Sequence, residues 1–321
     1  MGKIVECVPN FSEGRDHNII EAIIAPLKNK SGFKLVSYEP DIDYNRTVVT
    51  LIGDAEAIIE AIPEFVGQAV KLIDLNHHTG QHPRMGAVDV IPFIPLEDTT
   101  VEECVGFANT LAQIISSRFS IPVFMYALAA RQPERVSLPS IRKGEFEGMK
   151  TKILDPLWLP DYGKPEIHPT FGAVAIGARI LLVAYNIDIA TKDEKVAERL
   201  ARTIRQSSGG FQHIQAGPAY LEQRGHVQVT MNVLDYKKNP LYRIWETIKM
   251  EALRYRVEVT SAEIVGLIPK EALTDSLKYY YATQDRKFLS TISLDDIVSE
   301  ATKYMQFRDL STNKIIEKYL E

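Results

Sequence analysis

Cysteine is almost missing from this chain: 321 residues carry two, Cys7 and Cys104. Two thiols allow at most one disulfide. With no C-x-x-C pair, a zinc ribbon or a thioredoxin-type motif is excluded, and a reducing, cytoplasmic setting is expected. An excess of positive charge is missing too. Lys and Arg number 37 against 42 Asp and Glu, a net charge of −5. That balance excludes a general affinity for nucleic acid or an anionic membrane surface, so an anionic ligand would need a local basic pocket. Long apolar runs are lacking, because "FGAVAIGARILLVAYNIDIA" is interrupted by Arg179 and reads as sheet core rather than a membrane span. No signal peptide is expected, since "MGKIVECVPNF" reads as a strand followed by a turn. A GK[ST] phosphate loop, a G-x-S-x-G elbow and a Ser-His-Asp order are all absent.

What is present is ordinary globular composition, 45% apolar and 25% charged, in a chain long enough for two domains of roughly 150 residues each. Lys3 to Val8 reads as a strand, and Asp16 to Lys28 as a helix with Ile19, Ile20, Ile23, Ile24 and Leu27 at helical spacing. "GFKLVSYEP" and "NRTVVTLIG" read as strands joined by the acidic turn "DIDY". A second helix is predicted from Ala55 to Ile73, and "AVDVIPFIP" is a further strand. The order is β-α-β-β-α-β, extended by a helix near Val101–Arg118 and the strand "IPVFMYA". From Arg131 to Gly172 the periodicity fails in a Pro-, Gly- and charge-rich stretch of a length that is usually functional or a linker.

The second half repeats the order. "ARILLVAYNIDIA", "HIQAGPAYLEQRG", "HVQVTMNVLDY" and "VEVTSAEIVGLIP" read as strands, with helices at Lys192–Gln206 and Pro240–Tyr255 and another from Lys270. The fold expected is α+β, two ferredoxin-like (β-α-β-β-α-β) subdomains whose sheets face across a substrate cleft. The boundaries are 1–178 and 179–285, with a helical extension over 286–321 whose role the sequence leaves open.

Chemistry concentrates in "HHTGQHPRMGAVDVIPF", where three of seven histidines fall within six positions. His78 and His82 are four apart, a zinc-like spacing on a helix, but Gly80 and Pro83 oppose a helix there. Proton transfer fits better, since an imidazole titrates near working pH and Pro83 holds His82 in extended geometry. No metal is expected. In the turn "EPDIDYNR", Glu39, Asp41 or Asp43 could orient that imidazole, or form a solvated turn. "GKPEIHPTFGAVAIGAR" has the glycines of a ligand loop or of a linker. Arg46, Arg84 and Arg179 each flank a turn or glycine and could fork onto carboxylates.

The blocks "VECVPNFSEGRD", "NRTVVTLIG", "GQHPRMGAVDVIPFIP", "DYGKPEIHPTFGAVAIGAR" and "YNIDI" together resemble the formiminotransferase family, as far as about Tyr281. The resemblance implies transfer of a formimino group from N-formimino-L-glutamate to N5 of tetrahydrofolate, with folate as co-substrate, no bound cofactor, and a homodimer. It places the catalytic histidine on His82, beside Glu39 or Asp41. Its folate-binding loop falls on Gly163, Lys164, Pro165, Glu166, Ile167, His168, Pro169, Thr170, Phe171 and Gly172. Lys164 stands where members of the family carry proline. The helical cyclodeaminase domain of bifunctional relatives is not expected here, and deamination is expected to fall to another protein. Formyl and formimino donors differ by oxygen against NH, and no residue separates them. Folate-dependent formyl transfer in the same cleft therefore stays open, as does a non-catalytic folate-binding module.

Overall fold

The computed structural model describes residues 2–289 and 291–320. The chain divides into two compact units, Met1–Ile180 and Leu181–Glu321, and is an α+β protein with one sheet in each.

The first unit runs β1 (Ile4–Cys7), β2 (Asn10–Phe11), α1 (His17–Ile24), β3 (Phe33–Asp41), β4 (Arg46–Asp54), α2 (Ala55–Leu72) and β5 (Val88–Pro95). It continues with α3 (Val101–Phe119), β6 (Val123–Ala127), α4 (Leu138–Arg142), α5 (Glu145–Lys152) and β7 (Val174–Ala178). Strands β1 and β2 share one lane of the seven-stranded sheet, each pairing antiparallel with β4 and with β5. Val8-Pro9 separates them, as a proline cannot donate to a ladder. β7 runs parallel to both β5 and β6. Parallel neighbours require crossovers, which here are α3 and the stretch 131–172.

Local chemistry starts the helices where the apolar periodicity begins. Asp54 accepts the Glu56 and Ala57 N–H groups at the head of α2, and Thr100 with Glu103 forms a capping box on α3. The helices bury Ile58, Ile62, Phe65, Leu111 and Ile115 against Val5, Cys7, Ile91, Phe93 and Ile176 of the sheet. A smaller core joins Val90, Phe124 and Ala175 to Ile141 of α4 and Met149 of α5. Those two helices, with single turns at Pro133–Arg135 and Pro156–Trp158, occupy the stretch expected to lack structure. Helices of five and eight residues are too short to print a periodicity. The buried Arg135 pins the stretch from within, donating to Asp161 Oδ2 at 2.7 Å and to the Leu157 and Leu159 carbonyls.

The second unit runs β8 (Val183–Ile189), α6 (Glu194–Ile204), β9 (Ile214–Leu221), β10 (His226–Val233), α7 (Leu241–Arg254), β11 (Val259–Val265), α8 (Lys270–Ala282) and α9 (Leu294–Met305). Its four strands lie antiparallel in the order β11-β8-β10-β9. Arg179, read from sequence as a strand start, instead lies just after β7, and β8 begins at Val183. The tail is more than a helical appendage. α9 adds Ile297, Ala301 and Met305 to the core. The following segment then pairs along β11, Ala262 N–H donating to the Gln306 carbonyl at 3.0 Å and Arg308 N–H to the Ala262 carbonyl at 2.7 Å. An otherwise open edge is covered. Among the described residues no helix is long and apolar enough to cross a membrane.

Candidate active site

The loop between α2 and β5 sends its three imidazoles to different partners. His77 is exposed, its Nε2 3.9 Å from Asp74. His78 donates Nε2–H to the Asn45 carbonyl at 2.9 Å. His82 turns inward and is 4% exposed. Backbone bonds fix the loop: Gln81 N–H reaches the Asp43 carbonyl at 3.1 Å and His82 N–H the Tyr44 carbonyl at 3.3 Å. The β3–β4 turn is thereby held against the loop, and Arg46 at the start of β4 lies beside the His82 ring.

The ring sits between opposite charges. Arg46 Nη1 is 3.3 Å from His82 Nδ1. A guanidinium can only donate, so Nδ1 presents its lone pair and the proton of the neutral ring is on Nε2. That nitrogen faces Asp89 Oδ2 at 3.7 Å, outside hydrogen-bond reach, and has no other partner among the described residues. Asp89, 1% exposed in β5, is itself bonded through both oxygens. Its Oδ1 accepts Met85 N–H at 2.8 Å, and its Oδ2 accepts Arg142 Nε–H at 2.7 Å and pairs with Arg142 Nη2.

Burial, and next the Arg46 charge, push His82 down to about 3, against the pull of Asp89. Arg142 and the bonds to the carboxylate hold Asp89 ionised, well below the usual range, despite its burial. In β1, burial pushes Glu6 up to about 7, with Arg179 pulling the other way. The two groups give opposite pH slopes. Between 6.5 and about 3 the unfolded chain binds a proton that the folded His82 ring refuses, so stability falls as pH falls through that window. Between 4.5 and about 7 folded Glu6 keeps a proton that the unfolded chain has lost, so its contribution is lost as pH rises. Urea unfolding as a function of pH is expected to show His82→Gln flattening the acid slope and Glu6→Gln flattening the opposing one. A His82→Gln chain with an unchanged acid slope would contradict a buried neutral ring.

The segment 163–172 lies against the histidine loop at its far end. Ala173 N–H donates to the Met85 carbonyl at 3.0 Å and Ala87 N–H to the Phe171 carbonyl at 2.8 Å. Gly172 has φ +84°, and a Cβ there would stand 2.2 Å from the Met85 carbonyl oxygen, so this approach requires glycine. His168 Nδ1 accepts Phe171 N–H at 3.1 Å. With Gly163, Lys164, Glu166, Ile167 and Pro169, it lines a cavity of about 350 Å³ that Ser116 of α3 and Ser120, just after that helix, also line.

Other residues singled out from sequence are placed apart from the ring or already occupied. Arg84 is clamped by Glu145 at 2.7 Å and Glu147 at 2.8 Å, both in α5. Arg179 donates to the Ile180 carbonyl and acts on Glu6 and Tyr126. Asp41 lies opposite Arg46 in the β3–β4 ladder and accepts Tyr44 N–H at 2.9 Å, while Glu39 lies opposite Val48. The carboxylate set against the His82 ring is Asp89. The sequence offers it only as a carboxylate flanking the histidine loop, although one carboxylate inside the apolar strand "AVDVIPF" is a signal: a charge buried there needs a partner. Arg142 is that partner.

The sequence profile of the formiminotransferase domain, N-terminal subdomain, matches residues 4–179, and that of the formiminotransferase domain matches residues 184–321. A glutamate formimidoyltransferase of Streptococcus pyogenes serotype M1 is 45% identical over 285 residues, covering 89% of this chain and 95% of the relative. One from Thermoplasma acidophilum is 40% identical over 279 residues, 86% of this chain and 92% of the relative. The formimidoyltransferase-cyclodeaminase of Gallus gallus is 39% identical over 286 residues, 87% of this chain and 53% of that longer protein.

Proposed function

The chain belongs to the formiminotransferase family, and on that premise we propose that it transfers the formimino group of N-formimino-L-glutamate to N5 of tetrahydrofolate, releasing L-glutamate. It is a one-carbon transferase, a glutamate formimidoyltransferase. The observation that carries this reading is the 45% identity to a glutamate formimidoyltransferase across 95% of that relative's length. Both units are read as ferredoxin-like subdomains, supported in the second by the strand order β11-β8-β10-β9, and the assembly as a homodimer.

N5 must lose a proton as it attacks the amidine carbon, and the glutamate nitrogen must gain one to leave. A single imidazole can serve both in turn. Since Asp89 faces Nε2, the working nitrogen is Nδ1, now covered by Arg46. A substrate carboxylate drawing the Arg46 guanidinium bares Nδ1 and offsets the positive charge that most depresses the ring. Binding thus raises the basicity of His82 when it is needed. Asp89 steadies the imidazolium, the role sequence reading put on Glu39 or Asp41, and Asp41 steadies Arg46 across the ladder. Arg84, already paired, fastens α5 to the histidine loop, while Arg179 stays a candidate clamp. The cavity at 163–169 takes part of the folate, with Lys164 facing its carboxylates.

Incubating the purified protein with tetrahydrofolate and either N-formimino-L-glutamate or N-formyl-L-glutamate, then identifying products by mass, tests the reading. The expected product is 5-formiminotetrahydrofolate from the formimino donor. Turnover of the formyl donor alone would reassign the substrate, and no turnover of either would leave a binding module.

A further inference from the structure

One carboxylate oxygen is contested in this site. Asp89 Oδ2 receives two N–H groups of Arg142, and His82 Nε2 stands 3.7 Å from the same atom. A charge-assisted bond from an imidazole to a carboxylate needs about 2.7–2.9 Å, so the ring is held just short of one. The other oxygen accepts Met85 N–H, and it is Oδ2, not Oδ1, that the ring faces.

Arg142 is in turn held in place. It is the last residue of α4, and Lys152 of α5 donates Nζ–H to the Ser140, Ile141 and Lys143 carbonyls at 2.6, 2.8 and 3.3 Å. Those carbonyls lie at the helix end, where backbone acceptors lack intrahelical partners. α5 is fastened to the histidine loop by Arg84 and by Phe146 N–H on the Arg84 carbonyl at 2.9 Å. The brace therefore fixes both the ring and its competitor. The charged groups facing the ring are Arg46 from β4, Asp89 from β5 and Arg142 from α4, with Tyr44 and Asp41 acting on Arg46.

We infer that Arg142 is a positioning residue that occupies Asp89 so that His82 cannot bond to it, keeping the imidazole a weak base that gives its proton up again. The inference rests on the transferase reading for its purpose, but not for its test. In the transfer, a ring bonded fully to Asp89 would hold the proton taken from N5. A ring denied that bond passes it to the departing glutamate nitrogen. The proton count is unchanged: one leaves N5, one arrives at the amine, and His82 ends neutral.

The test is an NMR titration of the His82 ring carbon and proton signals in the full-length protein, which needs no turnover. In Arg142→Gln the midpoint is expected to rise by about one pH unit or more, a tenfold gain in proton affinity. Arg142→Lys, which keeps the charge but loses the fork, should give a smaller rise and serves if the glutamine variant does not fold. In an Asp89→Asn background the same Arg142→Gln change should move the midpoint little, because no carboxylate is left to release. An unmoved midpoint in both Arg142 variants would overturn the inference. So would a full shift that persists without Asp89, since that would be charge acting through space alone. Failure of the transferase reading would appear instead as absent product with the titration shifts intact.

Discussion

Replacing His82 with alanine is expected to lower kcat for formimino transfer by about 10²–10⁴-fold, the usual contribution of a positioned general acid–base group. At 1.36 kcal/mol per tenfold, that is about 2.7–5.4 kcal/mol of barrier. The fold should survive, because the ring's backbone N–H bond to Tyr44 does not depend on the side chain. What the site loses is the acceptor for Arg46 and the one imidazole set between Arg46 and Asp89. His82→Gln keeps much of the volume and separates packing from proton transfer, so the two variants should lose turnover alike while differing in stability. Steady-state kinetics beside urea unfolding makes the comparison. Turnover within a few-fold of the parent would remove His82 from the mechanism, leaving approximation of the two substrates as the main source of rate.

Asp89→Ala should be the most destabilising single change in the site. The carboxylate is 1% exposed, and the Arg142 side chain it neutralises is 14% exposed. Removing one member of a buried ion pair leaves the other charge without compensation and costs about 3–5 kcal/mol. Met85 N–H also loses its acceptor. Asp89→Asn should cost less, because its one amide oxygen can still accept from Met85 N–H or from Arg142, which in the parent bond to different oxygens. The double change Asp89→Ala with Arg142→Met should cost less than the sum of the two single changes, since the stranded charge goes too. Urea unfolding of the four chains measures this. An Asp89→Ala loss below about 1 kcal/mol would mean that the pair is solvated in practice.

These two residues also show what was legible in the sequence. α2 and α3 carry several turns of apolar spacing and have capping chemistry at their starts, and β3 and β4 flank an acidic turn, so their positions follow from local rules. His82 is marked by the proline after it. Asp89 was present in plain view, but its meaning depends on burial, and burial depends on which strand pairs with which. Arg142 was harder still. It lies in a five-residue helix inside a stretch rich in Pro and Gly, and its partner is 53 positions away. Pairings of that kind come from the crossover between β6 and β7 and leave no local pattern. The tail's role was hidden for the same reason, since a short segment that pairs along β11 looks like any connector.

That segment at Gln306–Arg308 has a consequence for handling the protein. A chain trimmed ahead of it would bare the ladder groups of Ala262 and strip Asp188 and Glu263 of their shared cation, Arg308. The cut surface would offer another molecule a ready lane to join, so shortened versions should tend toward chain-to-chain stacking and precipitation rather than simply lower activity.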